Sequence, residues 1–162
     1  MSDEEYDLPE YPGTQEPAKV AVDWEKLVHN HKDPDSIRGF VDFSDSYPTC
    51  TITICYAFNQ SQEFVNAKPS ETGFIYNSQR YIQLVRTMRG YLDRNYGKAE
   101  NYFGSKTLIA MMLGGRRGII AFGNMHIDLW MGNDIHRPSL FRPVIWTDKS
   151  TIDNGIFFWE VP

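Results

Sequence analysis

At 162 residues, with 41% hydrophobic and 14% aromatic side chains, the chain is long enough for one compact core and short for two. Its net charge of -5 excludes the basic face with which a nucleic-acid binder neutralises phosphates. No run approaches the roughly 20 apolar residues that span a bilayer, so neither nucleic acid nor a membrane is expected as a partner.

The N-terminus, Met1-Ser2-Asp3-Glu4-Glu5-Tyr6, is acidic where a secretory signal would be basic and then apolar. Synthesis in a cytoplasm is therefore expected, with any export by a route that needs no such signal. Residues 1–20 carry six acids (Asp3, Glu4, Glu5, Asp7, Glu10, Glu16) and three prolines, with Lys19 as their first base. That composition buries too little apolar surface to offset the entropy of ordering, so 1–20 reads as a disordered tail and 21–162 as the folded domain. With those six set aside, 15 of the 21 acids face 16 basic residues, leaving the body near neutrality.

The first helix is expected over Val22–Val28, with Asp23 as cap, Trp24, Leu27 and Val28 inward, and Pro34 ending it. His29 and His31 lack a Cys or carboxylate at ligand spacing and read as solvated side chains rather than a metal pair. At Thr51-Ile52-Thr53-Ile54-Cys55-Tyr56 two signals conflict. The alternating β-branched residues favour a strand, whereas Pro48 and Thr49 are helix-start residues and Ala57-Phe58 prolong the run as a helix would. A helix from about Cys50 is the reading adopted. There Cys50 would meet unpaired N–H groups and the positive dipole end, which stabilise a thiolate. It could equally be a small buried residue. Cys55 would face the interior as a small hydrophobe, and two cysteines this close form no disulfide framework.

Apolar residues recur at helical spacing from Ser78 to Tyr96, with Gly97 placed as a C-cap glycine, which predicts a core helix. A second apolar run, 107–113, ends at the turn Gly114-Gly115, which lacks the lysine of a phosphate-binding loop. Gly118–Phe122 and His126–Trp130 then read as two strands joined at Gly123-Asn124. His126, Asp128 and Trp130 share one face of the second strand, since side chains alternate. His126 could be a base there or a surface histidine at a strand end. Pro143–Trp146 and Ile156–Val161 are further strand candidates. Helices early and strands late give an α+β domain with helices packed on an antiparallel sheet.

A cysteine opening an N-terminal helix, followed by a histidine opening a strand, is the order of papain-like and NlpC/P60 cysteine hydrolases. Within that group the chain resembles the fourth amidase effector family of type VI secretion systems. The resemblance is carried by Cys50–Asn59, Arg117–Phe122, His126-Ile127-Asp128-Leu129-Trp130-Met131-Gly132 and Phe157-Phe158-Trp159-Glu160-Val161. It implies a papain-like NlpC/P60 fold with a helix at Cys50. It also implies hydrolysis of peptidoglycan stem peptides between D-glutamate and meso-diaminopimelate, as a secreted antibacterial effector acting on the target cell wall. Cys50 would be the nucleophile and His126 the base, with neither metal nor cofactor; a cognate immunity protein is a further partner such an effector could have. The third member departs from the family pattern. Where the family usually has an aspartate, alignment of the next apolar pair places His136, with Asp134 as the alternate, and Asp128 reads as a supporting residue about 7 Å along the strand from His126. The rival reading is a degenerate amidase-fold module that binds cell-wall peptide or protein without cleavage. A housekeeping NlpC/P60 hydrolase would ordinarily bring a signal peptide or targeting domain.

Overall fold

The computed structural model describes residues 18–44, 48–136 and 143–162. Helix α1 spans Trp24–Asn30, and Asp23 caps it by accepting from the Lys26 N–H at 2.9 Å. Trp24 and Leu27 are buried from it. Pro34 does not end this helix but starts the next. Helix α2 (Pro34–Arg38) follows directly, because proline lacks only an N–H that a first turn leaves unbonded anyway.

The conflict at Thr51–Tyr56 is decided for the helix, α3 (Thr49–Gln60), whose residues Thr51 to Asn59 are all buried. Magnitudes explain why β-branched residues accept this. Their helix penalty is at most about 0.7 kcal/mol each, whereas full burial of Ile52, Ile54 or Phe58 contributes roughly 1.5–3 kcal/mol apiece. The helix is wrapped by its surroundings, and tertiary packing outweighs local preference.

The helix expected from Ser78 begins later. Phe74–Tyr76 (β1) and Gln79–Tyr81 (β2) form a hairpin in which Tyr76 pairs with Gln79. Asn77 and Ser78 make its two-residue turn, with φ of 49° and 62°; two successive left-handed residues match the twist of the flanking strands. Tyr81 is buried from a strand and stacks on Phe74, which is why it fitted an apolar stripe. Helix α4 is Val85–Tyr96, with Val85, Met88, Tyr91 and Leu92 buried and Gly97 at its C-cap.

Strand β3 (Glu100–Tyr102) leads to α5 (Lys106–Leu113), which ends at Gly114 in the left-handed conformation. The expected hairpin is present as β4 (Gly118–Phe122) and β5 (His126–Trp130), paired from Gly118–Trp130 to Phe122–His126. Gly123, at φ 55°, must be glycine, since a Cβ would stand 2.4 Å from the Ser150 carbonyl oxygen. Pro143–Trp146 is a 3-10 helix, not a strand, so Trp146 can set its ring edge-on to Phe122 and Trp130. Helix α6 (Lys149–Asn154) precedes β6 (Ile156–Glu160).

The sheet is antiparallel in the order β3-β6-β4-β5, leaving β5 at the edge. Ile119, Ala121, Ile127, Leu129 and Trp159 pack in one core with the apolar residues of α1 to α4. Ile120, Phe122, Trp130, Ile156 and Phe158 form a second core with Ile109 and Leu113 of α5. Of the acidic N-terminal segment, residues 1–17 lie outside the described part. Its last three residues are not loose: Ala18 and Val20 are buried, Val20 N–H donates to the Glu160 carbonyl at 2.8 Å, and Glu160 N–H donates to that of Ala18 at 3.2 Å.

Candidate active site

Cys50 occupies the first turn of α3, whose N-cap is Pro48. Among the described residues no side chain caps that end, so its leading N–H groups are not taken up by a side-chain cap. Because α3 packs on the edge strand β5, the Cys50 thiol comes against that strand. There the His126 ring and the Ile127 backbone N–H are the groups that act on it electrostatically.

Burial opposes ionisation of the thiol. The adjoining His126 ring, the Ile127 N–H and the Thr51 hydroxyl together outweigh it, holding the Cys50 pKa below that of an ordinary thiol. Burial likewise disfavours a charged His126, yet its bonds to Asp128 and Cys50 raise its pKa above the usual histidine value. The two shifts are complementary and favour a thiolate beside an imidazolium. Cys55, fully buried with its sulfur 3.8 Å from the Ile82 carbonyl, is pushed up to about 12 and stays a neutral thiol.

His126 is buried, not on a solvent face, and stacks on Phe122. Its Nε2 lies 3.0 Å from Asp128 Oδ2. A carboxylate only accepts here, so Nε2 carries the proton and the base function falls to Nδ1. The other Asp128 oxygen accepts from the Leu129 N–H at 2.7 Å, which anchors the carboxylate.

Neither residue expected as the third member occupies that position. Asp134 bonds Lys106 through Oδ2 at 2.8 Å and the Ile135 N–H through Oδ1 at 2.8 Å, so both its oxygens are engaged away from His126. His136, whose N–H bonds the Leu129 carbonyl beside β5, sets Nδ1 2.8 Å from Nδ1 of His31. Asp128 is the carboxylate that bonds His126, because two side chains leaning toward each other close the roughly 7 Å between alternate strand positions. The sequence signal was the shared face itself.

His31 is buried, not solvated, whereas His29 is exposed. Its spacing from Trp24 and Leu27 on the inward stripe would have shown this. The Thr53 hydroxyl donates to the Cys50 carbonyl at 2.8 Å and so accepts from His31 Nε2 at 3.4 Å. His31 Nδ1 then accepts from His136 Nδ1–H, and the chain of donors ties the segment after β5 to the first turn of α3. Among the described residues no group of His, Cys, Asp or Glu side chains could hold a metal ion.

A cysteine at the start of a helix laid over an antiparallel sheet, with a carboxylate-bound histidine on the adjoining edge strand, is the arrangement expected of a papain-like cysteine hydrolase of the NlpC/P60 type. The comparisons give its family: residues 47–159 match the type VI secretion system (T6SS) amidase effector protein 4 family, and the chain belongs to that family. Solved structures agree on the fold. The type VI effector Tae4 from Enterobacter cloacae is similar at a TM-score of 0.60 and 21% identity, over 86% of this chain and 93% of that one. The Tae4–Tai4 effector–immunity system from Salmonella typhimurium is similar at 0.60 and 17%, over 86% and 95%. The effector–immunity complex Tae4–Tai4 from Enterobacter cloacae is similar at 0.61 and 17%, over the same shares. No curated protein sequence matches.

Proposed function

We propose that this amidase effector cleaves peptidoglycan stem peptides at the γ-D-glutamyl–meso-diaminopimelate amide, with Cys50 as nucleophile, His126 as base and Asp128 as the group that orients it. The observation that carries this is the placing of Cys50 in the first turn of α3, packed on the strand whose His126 is held through Nε2 by Asp128 at 3.0 Å. The thiolate attacks the amide carbonyl and forms the C–S bond; the imidazolium then gives its proton to the departing amine as the C–N bond breaks. Water, deprotonated by the neutral imidazole, hydrolyses the thioester and restores the thiol. N–H groups at the start of α3 face the developing oxyanion, where loss of one such donor typically costs about a hundredfold in rate. His136 and Asp134 have supporting places, the first against His31 and the second against Lys106.

Secretion through the type VI apparatus and neutralisation by an immunity protein of the kind bound by its structural relatives complete the reading. Digestion of purified sacculi, followed by mass spectrometry of the released muropeptides, tests it. Cut stems ending in glutamate are expected from the native protein and none from Cys50→Ala with an unchanged melting temperature. Intact sacculi that nonetheless bind the native protein would identify a binding module instead.

A further inference from the structure

Hydrolysis of a γ-glutamyl bond sets a charge problem that Cys50, His126 and Asp128 do not solve. A γ-linked glutamate spends its side-chain carboxyl on the scissile amide and leaves its α-carboxylate free, on the acyl side and close to the attacked carbonyl. That anion must settle near a thiolate. A nearby cation would offset the repulsion.

The structure has one in the right place. A cleft of about 250 Å³ is lined by Pro48, Leu84, Val85, Arg86, Asn124 and Met125. Pro48 is the N-cap of the helix that carries Cys50, and Met125 immediately precedes His126, so the cleft is lined by chain neighbours of both reacting residues. Arg86 is the charged residue of this lining. It is exposed, and among the described residues it enters no salt bridge. Arg89, one turn on, is committed: it donates to the Gly123 carbonyl at 3.3 Å and Asn124 Oδ1 at 2.6 Å, and lies 3.6 Å over the Phe157 ring. Asn124 N–H also donates to Ser150 Oγ at 2.9 Å, so the wall facing Arg86 is braced. Leu84 and Met125, 52% and 38% exposed, border the cation with apolar surface that a bound peptide would cover. An ion pair formed under such a cover is shielded from water and gains strength.

We propose that Arg86 is a specificity-determining residue that receives the free α-carboxylate of the γ-linked glutamyl residue of the substrate. This rests on the cleavage reading above, but its test is separable because it reads binding. Cys50→Ala protein is titrated calorimetrically with two synthetic stem peptides that differ only in bearing a free or an amidated glutamyl α-carboxylate. The titrations are repeated with Cys50→Ala/Arg86→Gln, its melting temperature checked against the parent. The expected result is about a tenfold preference for the free acid, as a charge-assisted guanidinium–carboxylate bond provides. Arg86→Gln should erase that preference and leave affinity for the amidated peptide within about twofold. Retention of the preference in the double variant, equal weakening toward both peptides, or no measurable binding of the free acid would each overturn the proposal. An Arg86-dependent preference together with sacculi left intact by native protein would instead keep the cleft assignment and refute the hydrolase.

Discussion

Asp128 shows how much a single carboxylate sets here. It fixes the His126 tautomer through Nε2 and supplies charge that raises the imidazole pKa. Asp128→Asn should lower kcat by a hundredfold or more, on the order seen when an orienting carboxylate becomes an amide. The pH profile should change as well. For the native protein, activity should rise through a thiol pKa below 9.0 and fall through an imidazolium pKa above 6.5. In Asp128→Asn the falling limb should move to lower pH, because the group that raised His126 is gone. An inactive His136→Ala beside a near-normal Asp128→Asn would return the third position to His136. The two thiols separate by the same logic: iodoacetamide at neutral pH should label Cys50 rapidly, while Cys55, buried and pushed up to about 12, should react only on unfolding.

At the scale of elements, the β1–β2 turn and the start of α3 make testable demands. Ser78 holds φ 62° in a two-residue turn, a conformation that costs a residue with a Cβ roughly 1–2 kcal/mol and glycine almost nothing. Ser78→Gly should therefore stabilise the protein by about 1 kcal/mol after the added chain entropy of glycine is deducted, read as a higher melting temperature. Thr53 ties α3 to His31 and to its own first turn. Thr53→Val keeps the volume but leaves His31 Nε2 without that acceptor, at a cost of about 1–3 kcal/mol by chemical denaturation. The same valine should reduce kcat more than it alters KM, since it loosens the turn that presents Cys50.

On the scale of the molecule, the sheet holds its parts close enough to specify single atoms. Gly118 of β4 lies so near β6 that a Cβ would stand 2.2 Å from the Trp159 carbonyl oxygen. Gly118→Ala must part the two central strands and should destabilise by about 2 kcal/mol or more, lowering sacculus hydrolysis in proportion to the unfolded fraction. Val20 is fully buried beside the end of β6, whereas the acidic stretch before it has no core-forming pattern. Removal of residues 1–17 should leave hydrolysis in vitro intact, while further removal through Val20 should lower the melting temperature. Loss of activity on the shorter deletion, in a normally folded protein, would place the acidic stretch in the site.

Local chemistry alone determined a good deal. The β4–β5 hairpin is written in two β-rich runs around Gly123-Asn124, α1 in the Asp23 cap, the end of α4 in Gly97, and His126 as a strand-start histidine. These depend on periodicity and capping among residues close in the chain. What needed the tertiary structure were choices between partners that are distant in sequence or whose reach is set by packing. The burial of α3 overrode its β-branched preference, and a stripe that fitted one long helix was divided by the Asn77-Ser78 turn. Spacing along a strand also measures backbone, not side chains. Asp128 could lean onto His126, and Asp134 could be drawn off by Lys106, only once the fold had set their directions.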